Sequence, residues 1–231
     1  MNQNSGDSSL VTFYHDIEQD IDSEADPDTC REIVRAFLDI EKRYGTSATY
    51  NVVGKLFDQQ PDLIDWIYQA GHEVAFHSYN HFPSWQPEHY TDEVRLCAMA
   101  SPTPKGYRSP RSQWNHDTVQ SIWQNGFLWN AESDASPSPY FIYRDLVRLP
   151  IAGDDWPLNT GDMDTRQWTD FFVRNLHTKR YFGFGCHDTV VSFDPEERLR
   201  AWENLLSVTR DFEVKCVTFS QASDLFRSNR I

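Results

Sequence analysis

Two histidines, His77 and His81, stand four residues apart in the segment GHEVAFHSYNH, residues 71–81. The run EVAF before His77 reads as a short buried strand, which puts His77 at a strand end. Two imidazoles at i and i+4, just past a strand, converge on one divalent cation if the chain turns into a helical loop there. Such an ion wants a third, anionic ligand. Asp16, closing the strand-like run VTFYHD, is the candidate.

These side chains need elements to hold them, and strand and helix patterns alternate along the chain. Strands are expected at 10–14, 48–53, 73–77, 127–131, 146–151, 181–186 and 214–219, with a shorter strand or turn at Tyr107. A helix should start at Asp26-Pro27-Asp28, show Ile33, Val34, Phe37, Leu38 and Ile40 mostly on one face, and stop at Gly45. Gln60-Pro61 interrupts the next helical stretch. Further helices are expected at 93–100, 114–124, 165–177 and 195–209, and a last short one capped by Ser220. Residues 132–145 read as a long loop. Six or seven strands separated by helices predict an α/β protein with a parallel sheet or barrel, and no interior linker marks a boundary within 1–231.

Parallel α/β folds gather functional groups at the C-terminal ends of strands. Five separate regions share that address: His15-Asp16-Ile17-Glu18, His77, Arg108, Asp154-Asp155-Trp156 and His187-Asp188. A single strand-end histidine is commonly structural. The coincidence of five regions favours a site.

Bulk properties exclude several classes. The 231 residues carry a formal net charge of -14, which argues against nucleic acid and anionic membrane surfaces as partners. No segment approaches the roughly 20 apolar residues of a membrane span. The polar start MNQNSGDSS lacks an apolar export segment, so a cytoplasmic location is expected. The four cysteines show no CxxC spacing and are expected to be reduced thiols.

The order TFYHDIE, HSYNH, GYRSPR, DDW and GFGCHD resembles the polysaccharide deacetylase (NodB homology) superfamily. Within it, GFLWNAESD, the later LVRLP and the double Asp are similar to a branch whose first motif reads like HDVE and whose members hydrolyse amide-type C–N bonds. The resemblance implies a distorted (β/α) barrel with seven strands. It implies a divalent metal, zinc above all, held by one acid and two histidines. His77 and His81 map onto the histidines. Arg108 maps onto the arginine that orients the catalytic acid, His187 onto the histidine that protonates the leaving amine, and Asp155 onto the group that orients His187.

The first motif departs from the family's TFDD. The assignment carried forward makes Asp16, with His77 and His81, a metal ligand and Glu18 the general base. The reverse assignment and His15 as base stay open. A second departure is the short spacing to Arg108, which would trim the intervening helix and reshape one wall. Trp85, Trp114 and Trp156 lie near the motifs, where they either pack or stack on a sugar; Trp156 and Tyr107 are kept as substrate-contacting candidates. His72, His89, His116 and His177 read as surface or capping residues, and the acidic segment 18–28 as a solvated loop.

The leading expectation is a metal-dependent amidohydrolase acting on an N-acylated saccharide or small amide. The rivals are a metal-independent allantoinase-like hydrolase and a catalytically degenerate carbohydrate-binding barrel.

Overall fold

The structure, a computed structural model, describes residues 9–19, 26–82, 87–212 and 214–231. Its strands are β1 (Leu10–Ile17), β2 (Ala48–Val52), β3 (Glu73–Phe76), β4 (Gly106–Tyr107), β5 (Trp129–Ser133), β6 (Tyr140–Tyr143), β7 (Leu146–Gly153), β8 (Tyr181–His187) and β9 (Lys215–Cys216). The helices are α1 (Pro27–Tyr44), α2 (Leu56–Gln59), α3 (Pro61–Gln69), α4 (Pro87–Ala100), α5 (His116–Gln124), α6 (Trp156–Thr160), α7 (Thr165–Thr178), α8 (Asp188–Ser192), α9 (Pro195–Asp211) and α10 (Phe219–Arg227).

Strands β1, β2, β3, β4, β5, β7 and β8 pair in parallel in that order, and β8 returns to β1. The ring is the closed seven-stranded barrel expected from the sequence. β6 lies antiparallel on β7, and β9 adds to β1. Among the described residues, no helix is long and apolar enough to cross a membrane.

Strand alternation divides the core in two. Val11, Phe13 and Ile17 of β1 face the outer helices, in a cluster with Phe37, Phe172 and Trp202. Tyr14 faces inward with Trp129, Leu149 and Phe219. A Cβ at Gly106 would overlap the Trp129 indole, so that ring fits only beside a glycine. α10 crosses the end of the barrel where the strands begin: Phe219 packs on Tyr14 and Trp129, and Glu73 accepts the Ser220 N–H. One mouth is thereby closed by packed rings and by hydrogen bonds to Glu73, leaving the other for chemistry.

The helix signals work as expected at α1. Asp26 accepts from the Thr29 N–H at 2.9 Å, Pro27 opens the helix, and Gly45 ends it at φ 64°.

Elsewhere the structure corrects the sequence reading. α4 spans fourteen residues rather than 93–100; its inward face is Tyr90, Val94 and Cys97, a helical spacing hidden within a polar stretch. The supposed loop 132–145 contains β6. The expected strand 214–219 shrinks to β9, because Thr218 rather than Ser220 caps α10 in a reciprocal box with Gln221. The cysteines are free thiols, as expected.

Candidate active site

Register alone sets the first row of the site. Asp16 is paired with Asn51 on β2 and with His187 on β8. In parallel strands, register partners point the same way, so all three side chains rise into the open mouth. Asn51 donates to Asp16 Oδ1 at 2.8 Å. His187 Nε2 stands 3.4 Å from Asp16 Oδ2.

Arg108, just past β4, completes the grip on Asp16. Its Nε donates to Oδ2 at 2.8 Å and to Oδ1 at 3.1 Å, while Nη1 donates to Ser112 Oγ at 3.0 Å. Both partners of this ion pair are buried. Burial alone would raise the Asp16 carboxyl, but Arg108, then His77 and His187, hold it below the usual carboxylate range. Asp16 is therefore a carboxylate at neutral pH.

A second group converges on Glu18. Its Oε1 lies 3.3 Å from His77 Nε2 and 3.2 Å from His81 Nε2. Donor atoms from these three residues all lie within 4.8 Å of one another. His77 Nδ1 donates to the Arg108 carbonyl at 3.2 Å, which leaves Nε2 as the lone-pair nitrogen facing Glu18. Burial lowers the pKa of His77 and favours that neutral form. The His77 Nε2 atom is sealed from solvent and makes no hydrogen bond among the described residues.

The loop carrying the histidines is strained and braced. Ser78 and His81 hold left-handed φ of 58° and 53°. Glu93 of α4 accepts from the Tyr79 N–H at 2.9 Å, the Asn80 N–H at 2.6 Å and Asn80 Nδ2 at 2.7 Å. Far from being trimmed away, α4 supplies the carboxylate that shapes the histidine loop.

On the opposite wall, Asp155 accepts from the His187 backbone N–H at 3.1 Å and from Nδ1 at 2.6 Å. Burial would lower the imidazole pKa. Asp155 first, then Glu18 and Asp16, override burial and hold His187 well above its usual value. His187 is thus a cation whose Nε2 is directed away from Asp155 and toward Asp16.

Several expected placements change. Asp16 is not among the converging donors. It faces His77 Nδ1 at 3.9 Å, and its oxygens are taken by Arg108 and Asn51. The longer side chain of Glu18 reaches both imidazoles, so the geometry exchanges the two acids: Glu18 sits where the metal ligand was expected, and Asp16 where the base was. His15 alternates to the outside of the barrel, 2.6 Å from Glu41 and stacked on Phe37, and does not enter the site. His72 is buried against the same Glu41 rather than lying at the surface.

Tyr107 does not reach substrate either. With Gly106 and Arg108 inward, strand alternation turns it outward into a core with Cys97, Val119 and Phe127. Trp114 lies over the Arg148 guanidinium at 4.2 Å. Trp85 and residues 20–25 of the acidic segment lie outside the described residues.

Glu18, His81, Arg108 and His187 open onto one cleft of about 740 Å³, with Trp156 and Phe193 on its walls. Both aromatic rings are 55% exposed. Asn51 and Glu93 escaped the sequence reading. Asn51 had a findable signal, being an amide near the C-terminal end of an expected strand; Glu93 had none, because its role depends on how α4 packs.

Comparison with known proteins agrees with this geometry. The family model described as polysaccharide deacetylase matches residues 22–128, a region holding His77, His81 and Arg108 but not Asp16, Glu18, Asp155 or His187. A peptidoglycan deacetylase of Helicobacter pylori is 22% identical over 149 residues, covering 61% of this chain and 48% of its own length. A chitooligosaccharide deacetylase of Bradyrhizobium sp. (strain ANU 289) is 32% identical over 90 residues, covering 36% and 41% respectively. The chain thus spans less than half the length of either curated relative. A Mycobacterium smegmatis structure described as a polysaccharide deacetylase superimposes with a TM-score of 0.82 at 20% identity, covering 100% of this chain and 94% of that one. Motif order, the partial family match and the barrel concur: the chain is similar to polysaccharide deacetylases over residues 22–128 and shares their barrel fold.

Proposed function

We propose that this protein is a metal-dependent hydrolase that removes the acetyl group from an N-acetylated saccharide, with zinc held by Glu18, His77 and His81. One observation carries the reading. At and beneath the floor of one cleft, three convergent metal-type donors stand beside a buried carboxylate locked to arginine and a histidine locked to a second carboxylate.

The donors fit such an ion. Two ligands ~2.1 Å from a tetrahedral ion lie about 3.4 Å apart, and Glu18 Oε1 stands at 3.3 and 3.2 Å from the two imidazoles. His77 shows the further hallmark of a ligating histidine, its other ring nitrogen donating to a backbone carbonyl. One carboxylate and two imidazoles suit zinc. When bound, the ion supplies Lewis-acid polarisation of the amide carbonyl and lowers the pKa of water toward about 7.

The chain's own residues do the rest. Asp16, ionised and fixed by Arg108 and Asn51, takes a proton from the attacking water. His187, kept protonated by Asp155, gives the proton at Nε2 to the departing amine nitrogen. His187 Nε2 and Asp16 Oδ2 stand 3.4 Å apart, which puts base and acid side by side at the floor of the cleft, where one reacting centre can meet both. Trp156 offers an exposed ring to a sugar face at the cleft wall. Because β1 supplies the base and β8 the acid, the catalytic unit is the barrel from β1 to β8 taken together.

The test is acetate release from N-acetylated chitooligosaccharides by zinc-loaded and chelator-treated protein. Release that needs zinc and disappears in H77A and H81A is expected. Release from protein free of metal would replace this reading with the metal-independent one. Saccharide binding without release across a broad panel would replace it with the binding-protein one.

A further inference from the structure

Asp188 follows the proposed acid His187 and has no part in the chemistry above. It is fully buried. Its Oδ1 accepts from the Glu18 backbone N–H at 2.9 Å and from the Thr189 N–H at 2.9 Å; its Oδ2 accepts from the Gln19 N–H at 3.2 Å. Two of these three donors come from the other end of the sequence, where the chain leaves β1.

The segment they hold needs holding. Gln19 adopts φ 44°, a left-handed conformation that non-glycine residues enter at a cost. β1 has ended at Ile17, so the sheet no longer fixes the Glu18 and Gln19 amides. Thr189 Oγ1, one residue past Asp188, also donates to Glu18 Oε2 at 3.4 Å. The same short stretch after β8 therefore grips both backbone and side chain of Glu18.

We propose that Asp188 is a positioning residue for metal binding: a buried carboxylate clamp that fixes the strained Glu18–Gln19 turn so that Glu18 Oε1 meets His77 and His81. The inference rests on the metal-dependent reading above. A carboxylate is required because both oxygens accept. An asparagine would offer one acceptor and turn an NH₂ group against a backbone N–H.

The test is zinc affinity, read by competition with a chromophoric chelator, for wild type, D188N, E18Q and D188N/E18Q. D188N is expected to bind zinc about 10- to 100-fold more weakly, the usual cost of losing a group that orients a ligand. In the E18Q background the same change should add less than about threefold, since the two substitutions act on one interaction. D188N within about twofold of wild type, or a full effect of D188N on top of E18Q, would overturn the clamp. If D188N does not fold, hydrogen exchange of metal-free wild type decides. The Glu18 and Gln19 amides should exchange as slowly as those of β1, and free exchange would overturn the proposal. Wild type that binds no zinc would sink the metal-dependent reading and this one together. Zinc binding by wild type with unaltered D188N would sink this one alone.

Discussion

At the scale of single residues, the division of labour between two acids two positions apart is the sharpest consequence of the geometry. Asp16 is wrapped by Arg108 and Asn51, and Glu18 faces two imidazole nitrogens. D16N should therefore keep zinc and lose hydrolysis, whereas E18Q should bind zinc more weakly and lose hydrolysis; zinc affinity beside acetate release separates them. The Asp155–His187 pair makes a pH prediction. In the proposed mechanism His187 serves as an acid only while protonated, so activity should persist below its pKa and fall away above it. Asp155 is the largest influence raising that pKa. In D155N the alkaline limb of kcat/KM should move to lower pH, and an unmoved limb would remove Asp155 from the role. The buried Asp16–Arg108 pair also carries stability: R108M leaves a buried carboxylate without its cation and should cost about 3–5 kcal/mol in urea unfolding.

At the scale of elements, the chemistry is positioned by strand register and by buried carboxylates that pin loops. Register places Asn51, Asp16 and His187 in one row, and Glu93 of α4 pins the histidine loop. Gly45 ends α1 in a left-handed conformation open to an alanine's bulk but not to its backbone preference. G45A should destabilise by about 1–2 kcal/mol, measured as a fall in Tm with catalysis unchanged below the transition. Much of this level was legible in the sequence because its signals are local: Asp26-Pro27 and Gly45 bracket α1, and apolar runs ending in His or Asp mark β1, β3 and β8. What stayed hidden depends on distant partners. Tyr107 looked like a site residue beside Arg108, and only inside-outside alternation sends it to the core. The exchange of Asp16 and Glu18 turns on which acid Arg108 claims, a contact 92 residues apart. β6 was masked by the polar stretch ESDASPSP before it.

At the scale of the whole molecule, closure of the barrel gives it one end sealed by α10 and one open end where the strands deliver their reactive groups. The formal net charge of -14 gives the molecule as a whole a field that repels anions. KM for an anionic substrate should fall as ionic strength rises toward about 0.15 M, where the Debye length is about 8 Å; KM for a neutral chitooligosaccharide should stay constant. The expectations about zinc and hydrolysis stand on one claim, that Glu18, His77 and His81 share an ion while Asp16 does not. Anomalous diffraction at the zinc edge, on crystals grown with zinc, tests it directly. The account predicts one strong peak about 2.0–2.2 Å from Glu18 Oε1, His77 Nε2 and His81 Nε2. A peak coordinated by Asp16 instead, or no peak among these residues, would contradict it.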